Sequence, residues 1–108
     1  MKIRSVKACW LHVPIPESQQ HRSDFGVVDA FDMTLIRIET ECGLVGHGEA
    51  KSTVASAGNN RALAIMIEKE LGPQLIGKDC RTISKHWENL YSGVRGHYAL
   101  DRGHVFPI

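Results

Sequence analysis

Cysteine is scarce in this 108-residue chain: Cys9, Cys42 and Cys80 are an odd and widely spaced set. That count argues against a disulfide framework and for reduced thiols. No Cys-x-x-Cys pair supplies half of a structural zinc site. Cysteine catalysis has no support either, since neither Cys9, in a predicted strand, nor Cys42, in a predicted turn, has a base beside it in sequence. Long apolar runs are missing too. No stretch approaches the ~20 residues that span a bilayer, and Lys2, Arg4, Ser5 and Lys7 interrupt any signal-peptide core. A cytoplasmic location is the expectation, with no membrane partner. Charge of one sign is also absent. Thirteen basic and twelve acidic residues leave a net +1, which gives no electrostatic footprint for nucleic acid. No internal repeat and no low-complexity tract occurs.

What is present suits one domain with one modest core, at 43% apolar residues. Residues 2–13 read as a strand with Val6, Ala8 and Trp10 on one face, ended by Pro14 and Pro16. Residues 17–30 are polar and aperiodic. They read as a long loop, either an unstructured excursion or a lid that orders over a ligand. Residues 31–41 form a second strand, with Thr34, Ile36, Ile38 and Thr40 on one face. Cys42-Gly43 offers a hairpin turn, and residues 44–50 return as a third strand. Gly46 and Gly48 weaken that strand and suggest close packing of something against its backbone.

From about Ser56 to Leu71, the residues Leu63, Met66, Ile67 and Leu71 make one helical stripe, which Gly72-Pro73 is expected to stop. Leu75, Ile76 and Gly77 read as a single buried turn. Asp79 or Thr82 can cap a second helix carrying Ile83, Trp87, Leu90, Tyr91 and Val94. Trp87 and Tyr91, one turn apart, read as core. The fold class is therefore α+β: a three-stranded antiparallel meander followed by a helical pair. Residues 1–94 form the domain, and residues 95–108, rich in Gly, His and Arg, read as a linker.

The chemistry-bearing groups are few. Six histidines invite a zinc site, but His86, His97 and His104 lack ligand spacing, so no metal site is expected in this chain. Gly43, Gly46 and Gly48 are followed by no Gly-Lys-Ser/Thr, which excludes a phosphate loop. His47 and Glu49 share one strand face. An acid–base pair is conceivable there, but Glu49 as an acceptor for nearby backbone is the simpler reading. His21, Arg22 and Asp24 in the first loop, with Lys51, Ser52 and Thr53 in the second, are polar loop positions suited to touching a ligand. Arg22 or Lys51 can pair with a carboxylate by a charge-assisted hydrogen bond.

The run GLVGHGEA, with LGPQLIGKD between the helices and GHYALDRGHVFPI at the end, resembles the N-terminal capping domain of the mandelate racemase/muconate lactonizing branch of the enolase superfamily. The likeness extends over essentially the whole chain and is closest to acid-sugar dehydratases, with racemases next. The resemblance implies a domain that selects substrate for a C-terminal (β/α) barrel. In such enzymes the barrel removes the proton α to a carboxylate, using a Lys or His base and Mg²⁺. It assigns no catalytic residue and no cofactor to these 108 residues. It offers His21, Arg22, Asp24, Lys51, Ser52 and Thr53 as contacts to an acid-sugar or other carboxylate substrate. By this reading the isolated chain is inactive, and its exposed barrel-docking face favours a homo-oligomer. The alternative is a free-standing α+β interaction module without a catalytic role.

Overall fold

The structure is a computed structural model that describes residues 1–24, 26–52 and 58–92. Its centre is an antiparallel sheet of three strands in the order β1 (Ile3–Pro14), β4 (Ala30–Thr40), β5 (Val45–Ala50). β1 pairs with β4 from Ile3 opposite Thr40 to Pro14 opposite Ala30, with a register irregularity between Ile3 and Ser5. β4 pairs with β5 from Thr34 opposite Ala50 to Glu39 opposite Val45. The turn between them places Gly43 at φ +89°, a conformation glycine adopts without steric cost.

The alternation along β4 decides the layers. Ala30, Asp32, Thr34, Ile36 and Thr40 are buried, while Phe31 and Arg37 on the other face are exposed. A sheet buried on one face reads this way. The buried face meets a helical segment made of α1 (Asn59–Met66), a wider π-turn over Ile67–Leu71 and α2 (Gly72–Leu75). Ile36 and Ala50 from the sheet pack with Leu63, Ile67 and Leu71, and Val6, Ala8, Ile38, Met66 and Leu90 close the cluster's margin. Burying Leu63, Ile67 and Leu71 stabilises the fold by roughly 1.5–3 kcal/mol per side chain.

Several expectations need correction. The segment 17–30 is no aperiodic loop: Glu17–Gln19 make a 3-10 turn, and β2 (His21–Ser23) pairs antiparallel with β3 (Gly26–Val28). Polar alternation hid this hairpin, because a strand pair with no buried face leaves no apolar period. Gly72-Pro73 does not stop the helix, which continues to Leu75. Proline is tolerated in the first turn of a helical stretch, where its missing N–H costs little. Gly72 sits where it does because a Cβ there would lie 2.9 Å from the Ile67 carbonyl oxygen and 3.1 Å from Val6 Cβ. Ile76 is exposed instead of buried.

The second helix, α3 (Ile83–Ser92), follows Thr82, whose carbonyl accepts from the His86 N–H at 3.1 Å. Its apolar stripe is not core as a whole. Leu90 packs against the cluster, while Ile83 is 74% exposed and Trp87 50% exposed. Trp87 and Tyr91 stack on each other with ring centroids 5.0 Å apart. Ser56, at the predicted start of the first helix, lies outside the described residues, as do Val94 and the linker expected over 95–108.

Candidate functional site

One end of the sheet is polar on its buried face. Asp32, 1% exposed, projects from β4 toward the helices. Its Oδ2 accepts a hydrogen bond from Trp10 Nε1 at 2.8 Å and lies 2.7 Å from His12 Nδ1. Its Oδ1 accepts from Asn60 Nδ2 at 2.7 Å, and the same amide donates to the Asp32 carbonyl at 2.9 Å. Burial alone would push the Asp32 carboxyl up. Hydrogen bonds from His12, Asn60 and Trp10 outweigh it and hold the group below the ordinary carboxylate value. A buried carboxylate with this many donors is stable as the anion.

Asn60, fully buried in the first turn of α1, carries the network outward. Its Oδ1 accepts from the Ser52 N–H at 2.9 Å and from the Ser52 hydroxyl at 3.3 Å. The Thr34 hydroxyl donates to the Asn60 carbonyl. Trp10 is flanked on its ring by the Arg61 guanidinium, 5.6 Å from the centroid, and by the His12 ring at 5.4 Å. Among the described residues no buried side-chain nitrogen or oxygen is left unpartnered.

The loop residues singled out from sequence sit around this end. His21 and Arg22 lie on β2, opposite Val28 and Val27, and Asp24 follows in the turn; all three are exposed. The base of their excursion is closed by the Ile15 N–H on the Asp29 carbonyl at 2.8 Å and by Gln20 Nε2 on the Ile15 carbonyl at 3.0 Å. Because β1 ends at Pro14 and β4 begins at Ala30, the hairpin springs from the end of the sheet that holds His12 and Asp32. Lys51 and Ser52 leave β5 at that same end, since Ala50 is opposite Thr34. Thr53 lies outside the described residues.

The topology thus brings both loops to one end of the sheet. No hydrogen bond or ion pair links His21, Arg22 or Asp24 to Lys51 or Ser52 among the described residues. Arg22 carries no ion-pair partner there. Lys51 Nζ lies 4.0 Å from Glu49 Oε1. Glu49 is therefore exposed toward a lysine and takes no backbone hydrogen bond among the described residues, unlike the simpler reading of its sequence. Sequence reasoning placed Trp10 on a strand face with Val6 and Ala8 but did not foresee its network with Asp32, Asn60 and His12. Asp32 was legible in principle: it alternates with Ala30 and Thr34 on the inward face of a strand, which puts a carboxylate inside.

The sequence matches the family model described as "Mandelate racemase / muconate lactonizing enzyme, N-terminal domain" over residues 5–102. The chain belongs to this family. Two curated relatives are each 32% identical to this N-terminal domain. One is the cis-3-hydroxy-L-proline dehydratase of Roseibium aggregatum, matched over 90% of this chain and 27% of its own length. The other is the 3,6-anhydro-alpha-L-galactonate cycloisomerase of Streptomyces coelicolor, matched over 95% of this chain and 27% of its own. A racemase from Streptomyces coelicolor A3(2), solved with bound magnesium, superposes with a TM-score of 0.75 at 29% identity, covering 95% of this chain and 27% of that one. The chain spans about a quarter of the length of these relatives. The α+β fold read from the sequence is that of the enolase-superfamily N-terminal domain.

Proposed function

We propose that this N-terminal domain is the substrate-selecting cover of a Mg²⁺-dependent enolase-superfamily enzyme, an acid-sugar dehydratase that removes the proton α to a carboxylate. What supports this reading is that two polar segments leave one end of the sheet, the second tethered through Ser52, Asn60 and Asp32. Arg22 and Lys51 supply cations on separate loops, suited to a substrate carboxylate. Thr53 is included with Lys51 and Ser52 on sequence grounds. Closure of such loops excludes water and strengthens the charge interactions that favour an enediolate. A wrong sugar acid that leaves one such hydrogen bond unmade loses about 1–3 kcal/mol.

The described residues contain no group of three His, Cys, Asp or Glu side chains placed to share a metal ion. They do not fit Mg²⁺, so in this reading the metal and the catalytic base belong to a C-terminal barrel. No helix among the described residues is long and apolar enough to cross a membrane, and the cytoplasmic location belongs to the same proposal.

The test is a chimera. Residues 1–94 replace the corresponding domain of the Roseibium dehydratase, and the product is assayed with Mg²⁺ against a panel of sugar acids and hydroxyprolines. A shift of preference toward sugar acids is expected, with Arg22→Ala and Lys51→Ala raising KM more than they lower kcat. A folded, active chimera that keeps the parent preference overturns the reading.

A further inference from the structure

Asp32 decides which nitrogen of His12 carries the proton. The two residues stand opposite each other in the register of β1 and β4, so their side chains share the helix-side face. Asp32 Oδ1 takes the Asn60 amide at 2.7 Å, and Oδ2 takes the Trp10 indole N–H at 2.8 Å. A carboxylate kept as the anion by these donors has no proton to give. The 2.7 Å contact between Oδ2 and His12 Nδ1 is therefore made in one sense only: Nδ1–H donates. In the neutral ring the other nitrogen, Nε2, is then an acceptor. The Trp10 ring, its centroid 5.4 Å from that of His12, walls the imidazole. Turning the imidazole over gives up the Asp32 bond and removes a donor from a buried anion.

The network makes no use of Nε2. The His12 side chain is 40% exposed, and Nε2 has no hydrogen-bond partner among the described residues. His86 is a contrast, because its Nε2 is already taken up by the Asp79 carbonyl at 2.6 Å and the Thr82 hydroxyl at 3.1 Å. His12 also sits at the end of the sheet that both polar segments leave. β1 ends two residues on at Pro14, and Asp32 reaches Ser52 through Asn60.

We propose that His12 is a specificity-determining contact for a substrate hydroxyl, with Asp32 as its positioning residue. The proposal rests on the reading of this domain as a substrate-selecting cover. The fixed tautomer is what makes the contact selective. An imidazole free to change tautomer serves a hydroxyl or a carbonyl alike, because it can accept or donate. Held with its proton on Nδ1, His12 only accepts. A hydroxyl at that place donates to Nε2. A keto oxygen sets lone pair against lone pair, and a methylene leaves Nε2 desolvated and unpaired. The ligand class is a polyhydroxy carboxylate, told apart from its keto and deoxy counterparts. His12 binds and orients; no proton is transferred at it.

Ring-nitrogen NMR spectra of the 108-residue chain read the tautomer directly. The neutral His12 ring is expected to carry its proton on Nδ1, and Asp32→Ala to lose that single state. A proton on Nε2 in the wild-type chain overturns the proposal. The contact itself is read in the chimera of residues 1–94 with the Roseibium dehydratase. His12→Phe is expected to raise KM for the preferred sugar acid by about tenfold or more, with a smaller change in kcat. His12→Gln, whose Oε1 also accepts, should recover most of that loss, which excludes misfolding as its cause. Monodeoxy and keto analogues then locate the hydroxyl. For one position the wild-type chimera already shows the loss, and His12→Phe adds nothing further. No rise in KM, or an equal rise for every analogue, overturns the proposal and leaves the cover reading standing. A folded, active chimera that keeps the parent preference overturns both.

Discussion

The Asn60 amide holds the Asp32 carboxylate from one side, while its own carbonyl oxygen holds the Ser52 backbone. One buried side chain on a helix thus ties a strand residue to the residue that opens the second loop. Hydrogen bonds of this kind each contribute about 0.5–1.5 kcal/mol, but leaving a buried partner unsatisfied costs more.

Asn60→Ala is therefore expected to destabilise the domain by about 2–4 kcal/mol. It strands Asp32 Oδ1, the Asp32 carbonyl and the Ser52 N–H. Urea unfolding of both proteins reads the difference. A loss under about 0.5 kcal/mol would show that water replaces the amide without cost.

Asp32 makes stability depend on acid. Its folded-state value lies below that of the unfolded chain, about 3.9. Its contribution is then complete above the unfolded value and disappears as pH falls through the folded one. The stability gap between wild type and Asp32→Asn should be widest near neutrality and should narrow below about pH 4. Unfolding midpoints measured from pH 7 to pH 3 decide it, and a gap that stays constant over that range contradicts the assignment.

Gly72→Ala should lower stability despite alanine's helix preference of about 1 kcal/mol. The added Cβ would meet the Ile67 carbonyl oxygen at 2.9 Å and Val6 at 3.1 Å. Backbone must shift to relieve the first contact, and overpacking typically costs about 1–3 kcal/mol. Thermal unfolding of the variant is the measurement, and an unchanged or raised Tm would count against this close approach.

Cys42 should alkylate faster than Cys80. The Thr40 hydroxyl at 3.2 Å and the Leu44 backbone favour its thiolate, and the side chain is exposed, whereas Cys80 is half-buried. Thiolate is the reactive form. Timed iodoacetamide labelling at pH 7.5, followed by peptide mass spectrometry, gives the order. Equal rates would remove the basis for the claim.

The meander was legible because its strands carry period-two signals over long stretches, with Ile36 and Ile38 turned inward from β4. The small hairpin of β2 and β3 was not, because His21, Arg22 and Ser23 bury nothing and so leave no pattern. Trp87 and Tyr91 show the opposite failure. Their helical spacing marks an apolar stripe, but spacing says nothing about what covers it, and in the structure the two rings stack on each other while Trp87 stays 50% and Tyr91 40% exposed.

By itself, the sequence determined the α+β class and the order of the three main strands and two helical segments. Local periodicity and turn chemistry carry that information within a few residues. Only the tertiary structure decided that Trp10, His12, Asp32, Asn60 and Ser52 form one network, and that both loops leave the same end of the sheet. Those contacts join positions up to twenty-eight residues apart; strand register sets Trp10 and His12 beside Asp32, and the packing of α1 on the sheet brings Asn60 to it, neither of which local preference specifies.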